Sequence, residues 1–141
     1  AENVLDFAHR IPGVDIAIAY GVPSEVSDEK VMIAIQLKDG ASFNPDEVYR
    51  WFMQQQKEGG MDPKWMPDYI RIIDKFSVTN TQKIMVRPFK KENFNLDSNP
   101  TMEIYFRQRG DNTYRLLTPD EFVKIKEAFK TNGREAVLSR N

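Results

Sequence analysis

The chain has 141 residues, 40% of them hydrophobic and 29% charged, which suits one domain with its own core and excludes wholesale disorder. Lysine and arginine number 20 against 21 aspartates and glutamates, so there is no global basic field to hold nucleic acid. The lack of cysteine and a single histidine, His9, exclude disulfides, thiolate zinc sites, thiol catalysis and multi-histidine metal sites.

No apolar run reaches membrane-spanning length and no signal-peptide pattern opens the chain, as expected of a soluble, cytoplasmic protein. The chain begins at Ala1, without an initiator Met, inside a helical pattern already under way. That start points to a piece of a longer polypeptide. Val4, Leu5 and Ala8 share one helical face, and Ile11-Pro12-Gly13 stops the helix. Val14, Ile16, Ile18 and Tyr20 then alternate with smaller or polar residues, the two-residue period of a strand. Gly21-Val22-Pro23 ends it, and an acidic loop leads to a second alternation at Val31, Ile33, Ile35 and Leu37, closed by the Asp39-Gly40 turn. These two strands are expected to be antiparallel neighbours.

Asn44-Pro45-Asp46-Glu47 predicts a helix start: a capping Asn, Pro at the first helical position, and acids where the helix dipole favours them. Val48, Trp51 and Phe52 supply its apolar face, and residues 57–63, with Gly59-Gly60 and Pro63, predict a flexible loop. Tyr69-Ile70-Arg71-Ile72-Ile73 reads as a third strand. A short polar loop follows it, carrying Lys83. Arg87-Pro88-Phe89-Lys90-Lys91 is basic and broken by Pro, and residues 94–100 read as a polar connection. Met102, Ile104 and Phe106 alternate; Gly110-Asp111-Asn112 turns; Tyr114-Arg115-Leu116-Leu117 returns as the second arm of a hairpin. Thr118-Pro119-Asp120-Glu121 opens a last helix with a stripe at Phe122, Ile125 and Phe129, ending near Asn132-Gly133, and the final eight residues are expected to fray. The predicted fold is α+β: a small, three-stranded, mainly antiparallel sheet flanked by helices, with a C-terminal β-hairpin and helix. Residues 1–96 form the main unit and residues 97–141 an extension packed on the same domain.

The order of these motifs resembles the carboxy-terminal domain of the adenylate-forming acyl-CoA synthetases. The similarity lies in Glu2-Asn3-Val4-Leu5, Ile11-Pro12-Gly13-Val14, the strand ending in Gly21-Val22-Pro23, the run Val31-Met32-Ile33-Ala34-Ile35-Gln36-Leu37-Lys38-Asp39-Gly40, and Met66-Pro67 before the third strand. The last signature of that family, roughly P-x-T-x-S/T-G-K-I, stands here as Ser77-Val78-Thr79-Asn80-Thr81-Gln82-Lys83-Ile84. Ser77 replaces its proline and Gln82 its glycine. The very-long-chain acyl-CoA synthetases, or fatty-acid transport proteins, have a T-x-T-x-K form with a bulky residue before the lysine. Glu92-Asn93-Phe94-Asn95, Tyr105-Phe106 and Tyr114-Arg115-Leu116-Leu117-Thr118 are similar to segments of that group too, and the resemblance covers about residues 2–130.

The resemblance implies that Lys83 is the catalytic lysine of adenylation, with Thr79, Thr81 and Gln82 shaping the loop around the cofactor. It implies ATP, Mg²⁺ and CoA as cofactors, a fatty or related acid as substrate, and an N-terminal adenylation domain as partner in the same polypeptide. ATP and Mg²⁺ would be held mostly by that larger domain, and the small domain would rotate between two half-reactions. Arg87 and Lys90, with Lys91, are candidates for the phosphates of CoA, although a basic run is more often a solvated face. Peripheral contact with a membrane stays open. Because Ser77 and Gln82 depart from the signature, a second reading also stands: a non-catalytic binding or interaction module with the same fold.

Overall fold

A computed structural model describes residues 2–26, 29–77 and 84–139, with the side chains of residues 2, 3 and 139 excepted. Helix α1 (Glu2–Arg10) buries Val4, Phe7 and Ala8, and Ile11 continues their spacing of three, one and three residues along a single face. Gly13 then turns the chain at φ +86°, a conformation that suits glycine, and strand β1 (Val14–Val22) follows. It pairs antiparallel with β2 (Lys30–Leu37), as the short connection between them predicts.

Helix α2 (Pro45–Glu58) starts where the sequence places it: the Asn44 side chain accepts the Glu47 amide at 3.1 Å, and Pro45 sits in the first turn. Replacing Asn44 with Ala should cost about 1 kcal/mol, read as a lower denaturant midpoint at unchanged slope. The helix carries the chain back across the sheet, so that β3 (Tyr69–Ile73) joins β2 in parallel. The stretch expected to be a loop is shorter than residues 57–63. Helix α2 continues through Glu58, and Pro63–Trp65 forms a 3₁₀ turn capped by Asp62.

The sheet is larger than the sequence suggests. Strand β4 (Glu103–Phe106) pairs antiparallel with β3, and β5 (Arg115–Leu116) pairs with β4, giving one five-stranded mixed sheet in the order β1-β2-β3-β4-β5. The expectation of three strands with a separate hairpin is corrected accordingly. The physical reason is the free edge of β3: its unpaired amides and carbonyls accept Ile104 and Tyr105 opposite Arg71 and Ile70.

Both faces of this sheet are covered. On β2, Ile33 and Ile35 point to α1 and α2, where they meet Phe7, Val48, Phe52 and Ile70, while Met32 and Ala34 point to the opposite layer. That second layer is built by helix α4 (Pro119–Thr131), whose Phe122, Ile125 and Phe129 pack with Tyr69, Ile104 and Phe106. All four of Met32, Ile33, Ala34 and Ile35 are fully buried, which explains why the middle of this strand is apolar at consecutive positions.

Two further expectations change. Phe94 belongs to a segment read as a polar connection, yet it is fully buried and lies flat on Tyr69, ring centroids 4.1 Å apart at 4°. The end of the chain is tied down rather than frayed over its described part: Glu135–Ser139 forms a 3₁₀ turn, Leu138 is buried, and Arg134 Nε donates to the Ser24 carbonyl at 2.9 Å. At the other end of the sheet, the buried Tyr114 hydroxyl donates to the Pro67 carbonyl at 2.6 Å, joining the hairpin to the approach of β3. Tyr114→Phe should therefore lower stability by about 1 kcal/mol in a denaturant titration, since Arg107 Nε still reaches that carbonyl at 3.3 Å.

Candidate functional site

Residues 78–83, and with them the predicted site positions Thr79, Thr81, Gln82 and Lys83, lie outside the described residues. What can be built is the framework on either side. Upstream, β3 ends at Ile73 and the chain is fixed again at Phe76, whose amide donates to the Gln36 side chain on β2 at 2.8 Å. Downstream, Ile84 is half-buried against the α4 layer, and Met85 and Val86 are exposed at 53% and 36%. Helix α3 (Arg87–Glu92) begins immediately afterwards.

The basic, Pro-broken run is thus a helix. Pro88 stands in its first turn, where no intrahelical N–H is required, so proline does not interrupt it. Phe89 turns inward and meets Phe76 edge to face, ring centroids 5.4 Å apart. Arg87, Lys90 and Lys91 turn outward, and with Met85 and Pro88 they line an open groove of about 690 Å³. A second groove, of about 450 Å³, shares Met85 and Pro88 and adds Arg71, Lys75, Ser77 and Glu92. Five cationic side chains therefore border the two ends of the lysine-bearing segment. Lys90 approaches Glu29 at 3.8 Å, both groups largely exposed, so this pair adds little and leaves the ammonium accessible.

The interior side of the site is held by Arg71. Its side chain, 14% exposed, places Nη1 2.6 Å from Glu92 Oε1 and its guanidinium carbon 5.3 Å from the Phe89 ring centre. The other Glu92 oxygen accepts Asn99 Nδ2 at 2.9 Å. Tyr20 packs on the same side, its ring 6.4 Å from Phe89, and among the described residues its buried hydroxyl finds no hydrogen-bond partner. Burial pushes this phenol well above its ordinary range; the Arg71 charge opposes that rise and Glu92 adds to it. No local pattern announces the Arg71–Glu92 pair, because its members are separated by 21 residues.

These groups suit the handling of anions. Exposed cations line grooves of about 690 and 450 Å³, and among the described residues no three acidic or histidine side chains converge to hold a metal ion. Arg87 and Lys90 are exposed donors on the wall of the first groove. His9 links α1 to β1: Nδ1 bonds the Leu5 carbonyl at 3.1 Å and Nε2 accepts the Ala17 amide at 3.2 Å. It lies away from the grooves described here.

A three-layer domain with cationic side chains lining two adjoining grooves is the class these observations define. No family model matches the chain. Steroid-22-oyl-CoA synthetase of Rhodococcus jostii (strain RHA1) is 28% identical over 131 residues, covering 92% of this chain and 22% of that protein. Medium/long-chain-fatty-acid–CoA ligase FadD17 of Mycobacterium marinum is 35% identical over 78 residues, 55% of this chain and 15% of the relative. Long-chain fatty acid transport protein 5 of Mus musculus is 29% identical over 111 residues, 77% and 15% respectively. Among solved structures, ATP-bound MatB from Rhodopseudomonas palustris superposes with a TM-score of 0.56 at 16% identity, covering 67% of this chain and 18% of that one. The amide bond synthetase McbA from Marinactinospora thermotolerans gives 0.53 at 22% identity, covering 62% and 17%.

In sequence and fold the chain matches a carboxy-terminal domain of the adenylate-forming, AMP-binding superfamily. It spans only 15 to 22% of the length of these curated relatives. A match of 131 residues within 141 necessarily extends beyond residue 97, so the α4 layer is part of what the Rhodococcus protein shares.

Proposed function

We propose that this chain is the lysine-bearing C-terminal domain of an ATP-dependent acid–CoA ligase, acting with an N-terminal adenylation domain in the same polypeptide. The observation that carries this reading is the similarity along 92% of the chain to a protein named as a CoA synthetase, supported by two shorter matches to fatty-acid proteins. The fold alone would not choose the acceptor, since an amide bond synthetase shares it. The substrate class is a fatty or related apolar acid.

Adenylation joins two anions, a carboxylate and the α-phosphate of ATP. A cation between them stabilises the transition state more than it stabilises the separated reactants. Lys83 supplies that cation, and Thr79, Thr81 and Gln82 shape its approach. The larger domain would hold Mg²⁺, which would supply neutralisation of phosphate charge. Arg87 and Lys90 then meet the phosphates of CoA in the groove beside α3, after the domain has rotated. Residues 97–141 serve as an extension that completes the same domain.

Acid-dependent ATP–pyrophosphate exchange tests the reading. The larger polypeptide should exchange with medium- or long-chain acids and release AMP only when CoA is added, while the isolated chain stays silent. Exchange by the isolated chain, or none by the larger polypeptide with any carboxylic acid, would contradict it. Among the described residues no helix is long and apolar enough to cross a membrane.

A further inference from the structure

We propose that Glu29 is a built-in competitor for the phosphate position beside α3: its carboxylate lies over Gly21 and engages Lys90 until a ligand phosphate displaces it. The inference rests on the reading of Lys90 as a contact for the phosphates of CoA. Gly21 is a glycine with no conformational reason to be one. It stands one residue before the end of β1 and is not among the glycines with positive φ. What a side chain there would meet is Glu29, since a Cβ built on Gly21 falls 2.7 Å from Glu29 Cδ, inside contact distance. The bare strand leaves room for a carboxylate to lie across it.

The surroundings hold Glu29 in place and leave its charge for Lys90. Glu29 immediately precedes β2, whose first residues Lys30 and Val31 pair with Val22 and Gly21. Lys30 is itself taken by Glu25 at 3.1 Å. The backbone around Glu25 is tied to the end of α4, where Asn132 Nδ2 donates to the Glu25 carbonyl at 3.0 Å and Arg134 Nε to that of Ser24. Among the described residues the one ion pair of Glu29 is with Lys90, at 3.8 Å. Lys90 lines the groove beside α3 and follows Phe89, whose ring is packed between Tyr20 and Phe76. So exposed a pair contributes little to folding. Its consequence is for ligands: a phosphate that approaches Lys90 has to displace a carboxylate already there and feels its repulsion, which lowers its affinity.

Equilibrium binding of CoA to the larger polypeptide should be measured for Glu29→Gln, Gly21→Ala and Lys90→Ala, singly and combined. Lys90→Ala should weaken binding, as the underlying reading requires. Glu29→Gln is expected to lower the Kd for CoA about 2- to 5-fold, a gain that shrinks as salt rises from about 0.05 to 0.5 M. Gly21→Ala should push the flexible carboxylate aside and tighten CoA by a similar factor, with no further gain in the Glu29→Gln background. With Lys90→Ala in place, Glu29→Gln should change nothing. If Gly21→Ala does not fold, Glu29→Asp, shorter by one methylene, carries the same comparison. A Kd unchanged or raised by Glu29→Gln while Lys90→Ala weakens binding, or the same gain with and without Lys90, would overturn the inference. No loss of binding in Lys90→Ala alone would instead remove the reading of Lys90 as a phosphate contact, and this inference with it.

Discussion

A chain ending at residue 96 is expected not to fold cooperatively. Such a truncation removes Ile104, Phe106, Leu117, Phe122, Ile125, Phe129 and Leu138 from one face of the sheet. It exposes Met32, Ala34 and Tyr69, now fully or almost fully buried, and frees the edge of β3. A single large core truncation shows the scale. Phe94→Ala would leave the face of Tyr69 without its stacked partner and should cost about 3–5 kcal/mol. Domains of this size hold only about 5–15 kcal/mol in total, so losing seven such side chains exceeds what the rest can supply. Circular dichroism with chemical denaturation checks both forms. Phe94→Ala should give a cooperative transition at a much lower midpoint, whereas the 1–96 fragment should give none. A sharp transition from the fragment would show that the first three strands and three helices are self-sufficient.

The second large effect is on chemistry. Lys83→Ala in the larger polypeptide should slow adenylation by about 10²–10³, equivalent to 3–4 kcal/mol of lost transition-state stabilisation. The residue is charged and was read from the sequence as part of a polar loop, so folding stability should change by no more than about 0.5 kcal/mol. A comparable loss in Arg87→Ala or Lys90→Ala is not expected. These exposed cations sit in a wide groove, and removing one should weaken binding of CoA rather than slow acyl-adenylate formation. Pyrophosphate exchange for the first variant and the KM for CoA for the other two distinguish the cases.

Much of this architecture is legible in the residues themselves, and the failures have a common cause. Asn44-Pro45 and Thr118-Pro119 start helices at Pro45 and Pro119, as their capping chemistry requires. The two-residue periods mark β1 and β2 as strands, and their closeness in the sequence correctly makes them antiparallel partners. What the pattern does not carry is pairing between distant segments. The alternation of Met102, Ile104 and Phe106 marks a strand with one apolar face but is silent about its neighbour, which lies some thirty residues earlier in β3. Phe94 and Leu96 alternate with Asn93, Asn95 and Asp97, but the run is too short to mark an element, and the partner that buries Phe94 is Tyr69, on another element. Pro88 reads as a breaker inside the basic run, although first-turn placement makes it compatible with α3.

The same division holds at the site. Lys83 and its loop neighbours come from a motif, and Arg87 and Lys90 from local charge. The Arg71–Glu92–Phe89 arrangement joins residues whose proximity depends on the fold and leaves no local signature. The ordered end of the chain leaves no local signature either, since Leu138 and Arg134 acquire partners only where α4 returns to the loop after β1.

The most direct measurement is the ratio of the two half-reactions in Lys83→Ala relative to the unmodified polypeptide. The lysine-bearing role predicts that this ratio of adenylation to thioester formation falls by about 10²–10³, because only the first step needs a cation between carboxylate and phosphate. A ratio that stays at its original value, with both steps lost together or both retained, would contradict that role.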